Sequence, residues 1–173
     1  MTDRRPLDSL TIEQQPEPVV LAMLLAGEAR GEQDRSGRLE SVAMLAVGWV
    51  AYNRANDTLH RWAKTPGAAA LQTWQFSCFN FSDPNRAKLL TLWKTDPGTW
   101  ERADTVLDLL ASGYATDPTG GATHYCTEAL WGTDDAGRIA LGKRARWFSI
   151  QEISAGRTVR LVQKGHHIFG RAA

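Results

Sequence analysis

Six residues, Gly27-Glu28-Ala29-Arg30-Gly31-Glu32, put a carboxylate where the pattern of an apolar helix face calls for a hydrocarbon. Leu21, Leu24 and Leu25 recur at the spacing of one helical face, and Glu28 falls on that face, four residues after Leu24 and three after Leu25. A lone carboxylate buried there is costly, so either a partner meets it or its proton is held for chemistry. Gly31 and the polar run after it end the helix about here, and the negative end of the helix dipole favours the protonated form of an acid in the last turn. Such a group fits general acid catalysis near neutral pH. The bland alternative is a surface glutamate at a fraying helix end, paired with Arg30 or Arg35.

The elements that must position this group can be read around it. Pro18 suits the first turn of a helix over 18–30. A second helix over 37–54, capped by Ser36, carries Leu39, Val42, Ala43, Ala46, Val50 and Asn53 near one stripe. It ends in Asn53-Arg54, polar groups able to reach back toward the first helix. Residues 64–80 fit no period and read as an ordered loop. Asp83-Pro84 and Asp96-Pro97 each combine a capping oxygen with a first-turn proline, and open helices to about residues 94 and 111, the second closed by Gly113. Beyond Gly113 the texture changes: 117–121 is a turn, 122–126 a strand, and 158–162 with 166–169 a hairpin split by Lys164-Gly165. The expected fold is α+β, mostly helical, with a small sheet or hairpin in the C-terminal half. Residues 1–17 read as a flexible lead-in and 18–173 as one domain.

A chain of 173 residues can bury a real core, and seven tryptophans suit either that core or a groove that stacks on flat ligand faces. A net charge of +1 exerts no global pull toward nucleic acid or membrane. From residue 138 onward Arg138, Lys143, Arg144, Arg146, Arg157, Arg160, Lys164 and Arg171 face the single acid Glu152. Without an aromatic-basic ladder beside it this reads as a solvated surface, so nucleic acid is not an expected partner. The charged start Met1-Thr2-Asp3-Arg4-Arg5-Pro6 is not followed by a secretory apolar segment, and the apolar run 19–26 is too short to span a bilayer. Synthesis in the cytoplasm without a signal peptide or stable membrane insertion is the expectation, with Cys78 and Cys126 reduced. Two cysteines without a Cys-x-x-Cys pair give no structural zinc site, and no metal or cofactor is expected.

Four segments act as a set: GEARGE at 27–32, QFSC at 75–78, DPTGGATHY at 117–125 and G-x-H-x-F at 165–169. In this order they resemble the cell-wall hydrolase family typified by the spore-cortex-lytic enzyme SleB, over about residues 20–170. The resemblance implies a lysozyme-like catalytic domain and a lytic transglycosylase acting on peptidoglycan glycan strands, with Glu28 as the catalytic acid/base; the chain is expected to act as a monomer. It implies that Gln75 and Ser77 hydrogen-bond N-acetyl groups within a substrate-binding segment that includes Phe76. Tyr125 is expected to stack on a sugar or steady the cation, and His124 and His167 to orient these groups or bind glycan. Asn53 is expected to hydrogen-bond Glu28 or cap its helix, Arg30 to anchor a loop through Glu32 or Asp34, and Thr123 to support the site. For the histidines and Tyr125 the alternative is a buried side chain satisfied by backbone. The chain departs from the family at Gly170, where an aromatic residue is common, and at Phe79, where tryptophan is. Without wall-binding repeats it points to a phage-type endolysin, acting in the periplasm or on the wall after release.

One carboxylate suffices for that chemistry. Ordinary glycoside hydrolysis uses two, about 5 to 9.5 Å apart. A muramoyl sugar supplies its own C6 hydroxyl in place of water, and intramolecular attack has an entropic advantage. Competing readings are a two-carboxylate muramidase using Glu28 and Glu32, a Cys/His amidase using Cys78 with His124 or His167, and a zinc amidase drawing on His60, His124, His166 or His167. A glycan-binding module without turnover is a fourth.

Overall fold

In the computed structural model, residues 4–31, 41–134, 136–137 and 147–172 are described. Glu32, Asp34, Arg35, the expected cap Ser36, the first residues of the expected second helix with Leu39, and the bases Arg138, Lys143, Arg144 and Arg146 lie outside them.

Helix α1, Glu17–Ala29, forms the axis of the molecule. Its sequence reads as a one-faced helix, yet every residue from Val19 through Ala26 is buried. The cause is tertiary, because α2 (Ser41–Ala55), α3 (Pro66–Leu71) and α5 (Pro97–Ser112) all pack against it. Expected stripe positions Ala43, Ala46 and Val50 on α2 do face the core, but Val42 is exposed and Val47, Ala51 and Arg54 are buried in its place. The buried face is thus rotated from the expected one.

Local signals mark α5 well. Asp96 accepts the Thr99 amide at its start, and Gly113 closes its end at φ +70, a conformation that other residues adopt only with strain. The helix expected after Asp83-Pro84 is instead a 3-10 stretch, Arg86–Thr91, followed by the short α4, Leu92–Thr95. The expected loop 64–80 contains α3, opened by Thr65 and Pro66, and a 3-10 turn, Ser77–Phe79. The lead-in, read as flexible, is docked from Arg4 onward: Arg4 pairs with Asp104 and Asp108 on α5, and Ile12 enters the core.

The C-terminal half forms a three-stranded antiparallel sheet in the order β1-β3-β2, from β1 (His124–Thr127), β2 (Thr158–Lys164) and β3 (His167–Ala172). In this register Tyr125 lies opposite Phe169 and His124 opposite Gly170. Phe169 and Tyr125 pack against the helical core, whereas Cys126, Leu130 and Phe148 form a second small cluster with Trp131 and Trp147. A short helix α6, Ile150–Ser154, precedes β2. No helix among the described residues is long and apolar enough to cross a membrane.

Candidate active site

Glu28 lies in the last turn of α1, partly exposed, one residue before the helix ends. Three donors from two other parts of the chain meet its carboxylate. Ser77 Oγ donates to Oε1 at 2.9 Å and the Cys78 backbone N–H donates to the same oxygen at 2.7 Å. The Tyr125 hydroxyl donates to Oε2 at 2.6 Å. The partner that an acid on an apolar face requires is therefore a set of neutral hydrogen-bond donors. A carboxylate has two acceptor positions on each oxygen. With Oε1 accepting two bonds and Oε2 one, the position left for a proton is on Oε2.

The 3-10 turn Ser77–Phe79 reaches Glu28 because residue 27 has no side chain. A Cβ on Gly27 would lie 2.8 Å from the Cys78 Cβ and 2.9 Å from Leu89 Cδ2, well inside contact distance. Tyr125 arrives from the sheet, with His167 edge-on at 4.8 Å and Phe169 and Phe76 tilted at 5.6 and 6.0 Å between ring centroids. Burial, with the Glu28 charge adding to it, pushes the Tyr125 phenol well above its ordinary value, so it stays a neutral donor.

Arg54 ties these segments together. Arg54 is 4% exposed; its guanidinium donates from Nε to the Thr123 carbonyl at 2.7 Å and from Nη1 to the Gln75 carbonyl at 3.1 Å, and lies 4.5 Å from the centre of the Phe76 ring. One side chain of α2 thus links the entry to β1, which carries Tyr125, with the segment that carries Ser77 and Cys78. Burial lowers its pKa to about 10, against the opposing pull of Tyr125 and Glu28. Its neighbour Asn53 fastens the adjoining turn, donating to Asp117 Oδ2 and the Ala122 carbonyl, both at 2.9 Å. Burial works to raise the Asp117 carboxyl, but hydrogen bonds from Thr119, Asn53 and Gly121 outweigh it and hold it below its ordinary value.

Residues 40–170 match the Cell Wall Hydrolase family. The chain belongs to the cell wall hydrolase family. The match begins after Glu28, so the geometry above is what singles out that residue. Among solved structures, the catalytic domain of the germination-specific lytic transglycosylase SleB from Bacillus anthracis shares the fold, with a TM-score of 0.52 at 19% identity over 88% of this chain and 92% of that one. No curated protein gives a significant match.

Within this cell wall hydrolase, the expected site residues divide. Ser77 and Tyr125 converge on Glu28. Asn53 does not reach it, because its amide is taken up by the 117–122 turn. Phe76 is 1% exposed and belongs to the core beneath Arg54, which corrects its reading as a substrate contact. His167, at 6% exposed, lies behind Tyr125. Gln75 uses its amide internally, accepting Trp62 Nε1 at 2.9 Å. His124 lies between Trp62, edge-on at 5.7 Å, and Trp147, tilted at 5.1 Å between ring centroids, with Nδ1 3.0 Å from Thr123 Oγ1. Burial, helped by the charges of Arg54 and Arg61, lowers its pKa to about 3. The Arg30 side chain is exposed, and its expected partners Glu32 and Asp34 lie outside the described residues.

The family departures have local reasons. A Cβ on Gly170 would meet the Val159 carbonyl oxygen at 2.6 Å and the Trp147 ring at 3.2 Å, so Trp147 fills the space beside β3. Phe79 is buried in the core. The amidase reading fails at Cys78, a buried thiol held well above its ordinary pKa by desolvation and then by Glu28. For zinc, the described His, Cys, Asp and Glu residues form no cluster of three or more able to hold an ion. Sequence reasoning missed Arg54 as a site residue. Its signal was a cation in the last turn of a helix whose preceding turns are apolar.

Proposed function

We propose that this cell wall hydrolase is a peptidoglycan lytic transglycosylase that cleaves the bond between N-acetylmuramic acid and N-acetylglucosamine with Glu28 as its single acid and base. The observation that carries the reading is the held carboxylate: a helix-end glutamate whose two oxygens are fixed by Ser77, Cys78 and Tyr125 while Oε2 keeps room for a proton. The family, and a fold shared with an enzyme described as a lytic transglycosylase, supply the substrate class.

In the first half, the Oε2 proton passes to the bridging oxygen as the bond from muramoyl C1 to that oxygen breaks. The glucosamine chain leaves as an alcohol, and the sugar's own N-acetyl group steadies the cation at C1. In the second half, the Glu28 carboxylate takes the C6 hydroxyl proton while O6 bonds to C1, giving a 1,6-anhydro end and restoring the acid. Ser77 and Cys78 keep their bonds to Oε1 through both halves, so the carboxyl plane need not reorient between them.

Mass spectrometry of digested peptidoglycan tests this directly. Anhydro-muramoyl ends are expected, and reducing muramic-acid ends would replace the reading with hydrolysis. Glu28→Gln is expected to lower muropeptide release by about a hundred- to ten-thousandfold while near-UV circular dichroism and sedimentation with cell walls stay as in wild type. Wild-type release by that variant would end the assignment. We extend the reading to an endolysin type of enzyme, made in the cytoplasm and reaching the wall after release. On that view producing cells stay intact until their membrane is permeabilised; lysis without permeabilisation would contradict it.

A further inference from the structure

We infer that Trp74 is a sugar-stacking subsite beside the catalytic acid, receiving one pyranose ring of the glycan strand. This rests on the reading of the substrate given above. Residues 72–75 form a turn in which the Gln75 amide donates to the Gln72 carbonyl at 3.1 Å, and its third position, Trp74, has φ +68. A positive φ at that position favours glycine or asparagine, and a bulky side chain there is strained. The same indole is 63% exposed. Backbone strain and apolar exposure therefore fall on one residue.

The turn is fastened on both sides of Trp74. Before it, Gln72 Oε1 accepts the Ala63 amide at 3.0 Å; after it, the Gln75 side chain accepts Trp62 Nε1 and its carbonyl accepts Arg54. The indole is consequently presented on a rigid loop, which removes most of the ordering cost of binding. Its location suits the substrate. Ser77, which donates to Glu28, follows three residues later, at most about 11 Å of chain away. A glycan strand bound at Glu28 and running along this segment would meet the indole. The C–H groups on one face of a pyranose match the electron-rich face of an indole, whereas the peptide stems offer charged and amide groups.

The test compares wild type with Trp74→Gly and Trp74→Phe. With purified peptidoglycan, Trp74→Gly is expected to raise KM about three- to tenfold with kcat unchanged, and Trp74→Phe to keep most of the affinity. The Tm of each variant is read beside its KM, so that weaker binding is separated from unfolding. A second arm titrates a hexamer of N-acetylglucosamine, which lacks peptide, into Glu28→Gln with and without Trp74→Gly. The same three- to tenfold weakening is expected. An unchanged KM in Trp74→Gly, or weakened binding to walls with unchanged binding to the hexamer, overturns the subsite while leaving the enzyme reading intact. A wild-type protein that releases no muropeptides overturns both.

Discussion

At the scale of single residues, Tyr125 carries most of what is unusual about the site. Its hydroxyl donates to Glu28 Oε2, the oxygen left with room for a proton, and it is kept neutral by burial and by the Glu28 charge. Tyr125→Phe removes the hydroxyl and keeps the ring that packs with Phe169 and His167. Release of muropeptides is expected to fall about ten- to hundredfold, as for loss of one hydrogen bond to a charged group, with the thermal transition little changed. Retention of full activity would mean that Ser77 and Cys78 alone fix the carboxylate. Glu28 itself was legible in the sequence because helical periodicity fixes which face a residue occupies. Its donors were not all legible, since the Cys78 contact is made by backbone, which no residue type advertises.

At the scale of elements, the site depends on how closely the 3-10 turn Ser77–Phe79 approaches α1. Gly27→Ala inserts a methyl group 2.8 Å from the Cys78 Cβ, an atom tied directly to the backbone that donates to Glu28. Cys78 has to give way, and the donor moves with it. The expected result is a stability loss of about 1–3 kcal/mol by urea denaturation and a lysis rate at least about tenfold lower. Gly31→Ala is the control, since no atom of the described residues lies within 4 Å of the added carbon. The capping signals of α5 were legible because a cap is a matter of neighbouring residues. The rotated face of α2 and the short α3 were not, because partners from elsewhere in the chain decide which side is buried.

At the scale of the whole molecule, His124 links acidity to folding. Its ordinary value of 6.5 is lowered to about 3 in the folded protein by burial and the nearby guanidiniums. Above pH 6.5 neither state holds the proton; below it the unfolded chain does and the folded chain does not until about pH 3, so stability declines as pH falls through that window. His124→Gln removes this titration, and its urea midpoint should drop less than that of wild type between about pH 7 and about pH 4. Equal drops would exclude His124 as the source. By itself the sequence determined the helical character of the first two thirds, the caps of α5, the strands of the C-terminal half and the glutamate on an apolar face, because each follows from the spacing of near neighbours. Only the tertiary structure decided that Tyr125, 97 positions away, and Ser77, 49 positions away, meet that glutamate. It alone decided that buried Arg54 joins their two segments and that Phe76 is core. Those outcomes depend on which surfaces close over α1, and spacing along a chain carries no information about contacts made across the fold.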